Sequence, residues 1–157
     1  ESSYSYSQGL GYAALAQVML RKGELLEAEA HGRTACQLLK PLLTYSVLAH
    51  TVLSSILLAQ GRAAEARQVA MPGVRALEQM GGAGVYAVGM HLALADACFA
   101  EGDARSGEAA LRQALACVRA RAHDIPDTEA RERFLRQVPE NARTLELARQ
   151  RWGDAAV

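Results

Sequence analysis

Aromatic side chains make up only 5% of the sequence, with one Trp and two Phe, although half of the residues are apolar. Ala and Leu must therefore fill the core, which favours helices in close approach, because Ala is small and is the best helix former. Alternating runs of Val, Ile, Thr and Tyr are missing, so no sheet can be placed. Cysteine is sparse and odd in number. Cys36, Cys98 and Cys117 lie far apart, which suits small buried side chains in a reduced compartment rather than a disulfide framework or a metal site. Net charge is lacking too: 17 basic residues balance 17 acidic ones, leaving no surplus to neutralise phosphates and excluding nucleic acid as a partner. Charges or glycines interrupt every apolar run before membrane-spanning length, so no membrane partner is expected. No signal peptide is visible and the chain opens on Glu1, which reads as a piece of a longer cytoplasmic protein.

What is present is a repeat. At 157 residues the chain suits one domain spanning 1–157. Three segments align on Gly23, Gly61 and Gly102, which are 38 and 41 residues apart. Eight residues before each glycine stands Leu15, Leu53 or Leu94, followed by Ala16, Ser54 or Ala95. Five residues after each stands Ala28, Ala66 or Gly107, small enough for helices to touch. Apolar residues recur at helical steps before each glycine, and glycine ends a helix in the left-handed conformation without a Cβ penalty. The spacing predicts helix pairs at about 5–39, 44–79 and 84–122, separated by Pro41 and the Gly81–Gly84 stretch. A capping hairpin follows at about 127–152, with Pro126 and Pro139 at its helix starts. Pro72 falls inside the second helix of the middle pair, where a kink is expected. The fold class is all-α: an α–α superhelix of helix–turn–helix repeats closed by a C-terminal hairpin.

In this order the leucine, small residue, turn glycine and second small residue resemble the tetratricopeptide-repeat (TPR) pattern over roughly residues 9–122. The first unit matches best, through Tyr12, Leu15, Ala16, Gly23 and Ala28. His50 and His91 replace its aromatic, Gly107 replaces an alanine, and the period exceeds the usual length of about 34 residues. The segment FLRQVPENARTLELA (Phe134–Ala148) is similar to the closing hairpin of TPR arrays in large bacterial serine/threonine protein kinases and related ATPase-type regulators. Fifteen Arg against two Lys suits a GC-rich bacterial genome. The resemblance implies a non-catalytic module for protein–protein interaction, or a regulatory segment of such a kinase whose catalytic part lies outside this chain.

No motif for catalysis or a cofactor is present. The 81–84 glycines lack the lysine of a phosphate-binding loop, no Gly-x-Ser-x-Gly occurs, and His50 and His91 have no ligand-spaced Cys or carboxylate. Packing is the expected role of both imidazoles, although equivalent places in consecutive repeats could bring them together. No catalytic residue, metal or cofactor is therefore assigned. The remaining candidate is a groove lined by the first helix of each pair, one step off the core face. Its residues are Leu20 (with Leu10, Ala13 and Gln17), Leu48, Thr51, Ser55, Leu58, Leu92, Asp96 and Phe99. Leu58 and Phe99 are expected to stay at least partly accessible there. A peptide, a helix, a neighbouring domain of the same protein or a second copy of the chain would occupy such a surface.

Overall fold

The computed structural model describes residues 2–157, with side chains from Tyr4 onward. It is all-helical: α1 (Ser2–Lys22), α2 (Leu25–Leu39), α3 (Leu43–Ala59), α4 (Ala63–Gln79), α5 (Ala87–Ala100), α6 (Ala104–His123), α7 (Thr128–Gln137) and α8 (Pro139–Trp152), then a 3₁₀ turn (Asp154–Ala156). No described residue lies in a strand.

The same turn is built three times. Gly23, Gly61 and Gly102 have φ of 79°, 76° and 82°, the left-handed region that disfavours a side chain. At each, the residue after glycine donates its amide back five positions: Glu24 to Met19 at 3.0 Å, Arg62 to Leu57 at 2.9 Å and Asp103 to Cys98 at 2.9 Å. Glycine itself bonds the carbonyl of Leu20, Leu58 or Phe99. The next helix then starts alike, with Ala28, Ala66 and Gly107 bonding the carbonyls of Glu24, Arg62 and Asp103. Only Asp103 adds a side-chain cap, accepting from the Ser106 amide at 3.0 Å. Pro126 lies outside α7, whose cap is Asp127, accepting from the Ala130 amide at 2.7 Å.

Helices pair as α1 with α2, α3 with α4 and α5 with α6, and α1, α3 and α5 lie side by side. The core runs through these seams and is rich in alanine, with Ala16, Ala28, Ala35, Ala66, Ala70, Ala97 and Ala114 buried. Small and large residues trade places between units. Leu20 and Leu58 pack on clusters containing Ala28 and Ala66. Phe99 lies over Gly107, where an added Cβ would come within 2.4 Å of its ring. Charges staple the units in the same register. Six residues after the turn glycine, Glu29 and Arg67 reach the next unit's turn, pairing with Arg62 at 2.7 Å and with Asp103 at 3.0 Å. The sign reverses from one interface to the next, so exchanging units would oppose like charges.

Three details set the units apart from one another. Leu15 is 43% exposed, because no helix covers the outer side of α1 where α2 and α4 cover α3 and α5. Pro72 lies inside α4, which runs on through it without a break. In the closing hairpin α8, rather than α7, packs against both α5 and α6 and takes the next place in the row. Glu108, the third residue at the stapling position, accordingly faces Arg151 of α8 at 3.7 Å.

Candidate functional site

Where α1, α3, α5 and α8 converge, two adjoining cavities of about 280 and 260 Å³ form a trough. Gln17, Thr51, Val52, Gly89 and Glu140 border both, so the space is shared. Of the groove residues expected from sequence, Leu20, Thr51, Ser55, Leu92 and Asp96 line the first cavity and Leu48 and Thr51 the second. Leu92 contributes from a buried position at 5% exposure. Leu58 and Phe99 line neither cavity. Leu58 is half-buried in the seam with Leu53, Leu57 and Ala97, and Phe99 is held between Gly107 and the Arg151 guanidinium, 3.6 Å from its ring centre. Arg151 from the last turn of α8 is what covers Phe99. Ala13 is core, at 2% exposure, and Leu10 packs against the same cluster.

The fourth wall was not readable as such from sequence. α8 starts at Pro139, which needs no amide partner at its first turn. Its buried Asn141 donates to the Phe134 carbonyl at 2.9 Å, locking α8 onto α7. Glu140 and Arg143 then point to the trough, and Arg143 grips Asp96 of α5 through both carboxylate oxygens, one bond measuring 2.7 Å. A distant ion pair of this kind carries no sequence signal beyond opposite charges on two helix faces.

The two hydroxyls of the lining are already bonded. Thr51 donates to the Val47 carbonyl at 2.8 Å and Ser55 to the Thr51 carbonyl at 3.0 Å, so their hydroxyls offer lone pairs and methylene surface rather than free donors. Asp96 and Glu140 balance Arg121 and Arg143 around the trough. An occupant would meet apolar walls, hydroxyl acceptors and charges of both signs in equal number.

Chemistry elsewhere is muted. Cys36 Sγ lies 3.9 Å from His50 Nδ1, the arrangement a thiol nucleophile would need. Burial pushes the Cys36 thiol up to about 12, which disfavours the reactive thiolate. Burial also lowers the His50 and His91 imidazoles below their ordinary value, against an opposing hydrogen bond that His50 donates to the Val69 backbone and the charge of Glu78 at His91. Among the described residues no group of three His, Cys, Asp or Glu side chains could hold a metal ion, and no helix is long and apolar enough to cross a membrane.

No protein-family model, curated protein or solved structure matches the chain.

Proposed function

We propose that the chain is a non-catalytic binding module, TPR-like in organisation, that holds a short amphipathic peptide segment of a protein partner in the trough between α1, α3, α5 and α8. The observation that carries this reading is the pair of adjoining cavities, each lined from helices that belong to different units. Side chains from separate repeats converge on one space, which is how stacked helix pairs make an extended binding surface. The balanced lining charges favour a neutral segment, whose apolar side chains would enter the two cavities while its backbone amides meet the Thr51, Ser55 and Glu140 acceptors. α8 acts as a fixed wall, held by the Asp96–Arg143 pair and the Asn141 bond.

Selection from a displayed peptide library tests this. Gln17 is exposed and borders both cavities, so Gln17→Trp should fill the mouth of the trough without touching the core. Peptides enriched on the wild-type chain should lose Gln17→Trp and share apolar residues at helical or strand spacing. Enriched peptides that bind both forms equally would place the binding surface elsewhere.

A further inference from the structure

Arginine is concentrated on the other side of α8. There α6, α7, α8 and the chain end enclose a cavity of about 970 Å³, within the size range of small-molecule sites. Arg119, Arg131, Arg136 and Arg149 line it together with His123, and Glu132 is the only carboxylate side chain among the lining residues. A chain of zero net charge thus sets four guanidiniums around one space. Two of them are positioned without being neutralised. Arg131 donates from Nε and Nη2 to the Ile125 carbonyl at 3.0 and 2.7 Å, and Arg119 donates to the Ala156 carbonyl. Both partners are neutral, and neither arginine has an ion pair among the described residues. Arg136 pairs with Glu132 at 3.2 Å, and Arg149 with Glu146 and Asp154 at 3.0 and 2.9 Å. Water and salt weaken such exposed pairs. Below this rim Leu135 and Leu145, both half-buried, form an apolar floor beside buried Ala122.

We propose that this cavity binds a small anionic amphiphile. Its oxyanion head, a carboxylate or phosphate monoester, is held by the free donors of Arg119 and Arg131, and its aliphatic tail lies on Leu135 and Leu145. Guanidinium groups suit such heads because their donors are planar and permanently charged. The floor requires a tail, which a bare ion lacks, and the rim requires a charge, which an alcohol lacks. The site is separate from the trough. α8 contributes Ala142, Leu145 and Arg149 here, against Pro139, Glu140 and Arg143 there, so the two bindings fail independently.

The test is a titration of the whole chain with monomeric decanoate, followed by amide chemical shifts. Decanol, inorganic phosphate and anionic phospholipid vesicles serve as parallel arms. Decanoate should bind saturably, move amides of α6, α7 and α8, and weaken about tenfold or more in Arg119→Gln, which removes a side chain whose hydrogen bond is to the Ala156 carbonyl. Arg131→Gln should weaken it similarly, and its circular dichroism shows whether α7 stays docked. Added salt should lower the affinity, while decanol and inorganic phosphate should bind about tenfold more weakly or worse. Three results would overturn the proposal: no decanoate binding, equal binding by wild type and folded Arg119→Gln, or sedimentation with vesicles without monomer binding.

Discussion

Adding one methyl group at Gly107 should reveal how closely the third helix pair is fitted. In Gly107→Ala the new Cβ would lie 2.4 Å from two ring carbons of Phe99 and 2.9 Å from a third. The ring cannot withdraw freely, because the Arg151 guanidinium covers it at 3.6 Å. Overpacking of this kind costs about 1–3 kcal/mol. Alanine's better helix propensity returns about 1 kcal/mol, so a net loss of about 1 kcal/mol is expected. Phe99→Leu alone should lose about 1–2 kcal/mol, by opening space above Gly107 and weakening the Arg151 contact. The double variant recreates the leucine and alanine found at Leu58 and Ala66. It should therefore be more stable than the sum of the single changes by about 1–2 kcal/mol. Urea unfolding followed by far-ultraviolet circular dichroism gives all four corners of the cycle. Additivity within about 0.5 kcal/mol, or a Gly107→Ala chain stabilised by the full helix-propensity gain of about 1 kcal/mol, would refute the size-exchange argument.

Gly61→Val should destabilise by about 1–2 kcal/mol in the same assay through backbone strain alone, since φ is +76° and nothing lies within 4 Å of the position. Leu53→Ala should cost about 2–5 kcal/mol, because Leu53 is 3% exposed and packs against Gly32, whereas Leu15→Ala, at 43% exposure, should cost under about 1 kcal/mol despite its equivalent place in the sequence. Reversing Arg62→Glu should lower the melting temperature and Glu29→Arg in the same chain should restore part of it, with high salt erasing the difference. His50 and His91 titrate below their ordinary value of about 6.5 when folded, so the unfolded chain takes up protons first. The stability tied to them is fully present above about pH 6.5 and declines as pH falls below it; His50→Asn with His91→Gln should flatten that slope in pH-dependent melting.

Much of the helical order was legible because each signal was local. The left-handed turns at Gly23, Gly61 and Gly102 need only the residue type and the apolar period before it, and the helix ends fall beside them. The trough was legible in part. Thr51, Ser55 and Asp96 follow from the periodicity of α3 and α5, since one face of a helix is fixed once its core face is known. The exposure of Leu15 was not legible, because sequence equivalence says which face a residue occupies, not whether another helix covers that face. Leu58 and Phe99 are partly accessible but lie beside the trough, because a position one step off the core sits in a seam where the neighbouring unit or Arg151 closes over part of it. The part played by α8 depends on long-range pairs, Asp96 with Arg143 and Asn141 with the Phe134 carbonyl, which no local pattern announces.

The central claim is that the trough holds a peptide segment, and a calorimetric titration tests it most directly. A peptide selected on the wild-type chain would be titrated into wild type, Gln17→Trp and Leu26→Ala, the last changing an 82% exposed leucine outside the trough. The account predicts one peptide per chain and unchanged affinity for Leu26→Ala. For Gln17→Trp it predicts a loss of about tenfold or more, about 1.4 kcal/mol, with the melting temperature preserved. Equal affinity for all three chains, or a loss confined to Leu26→Ala, would contradict it.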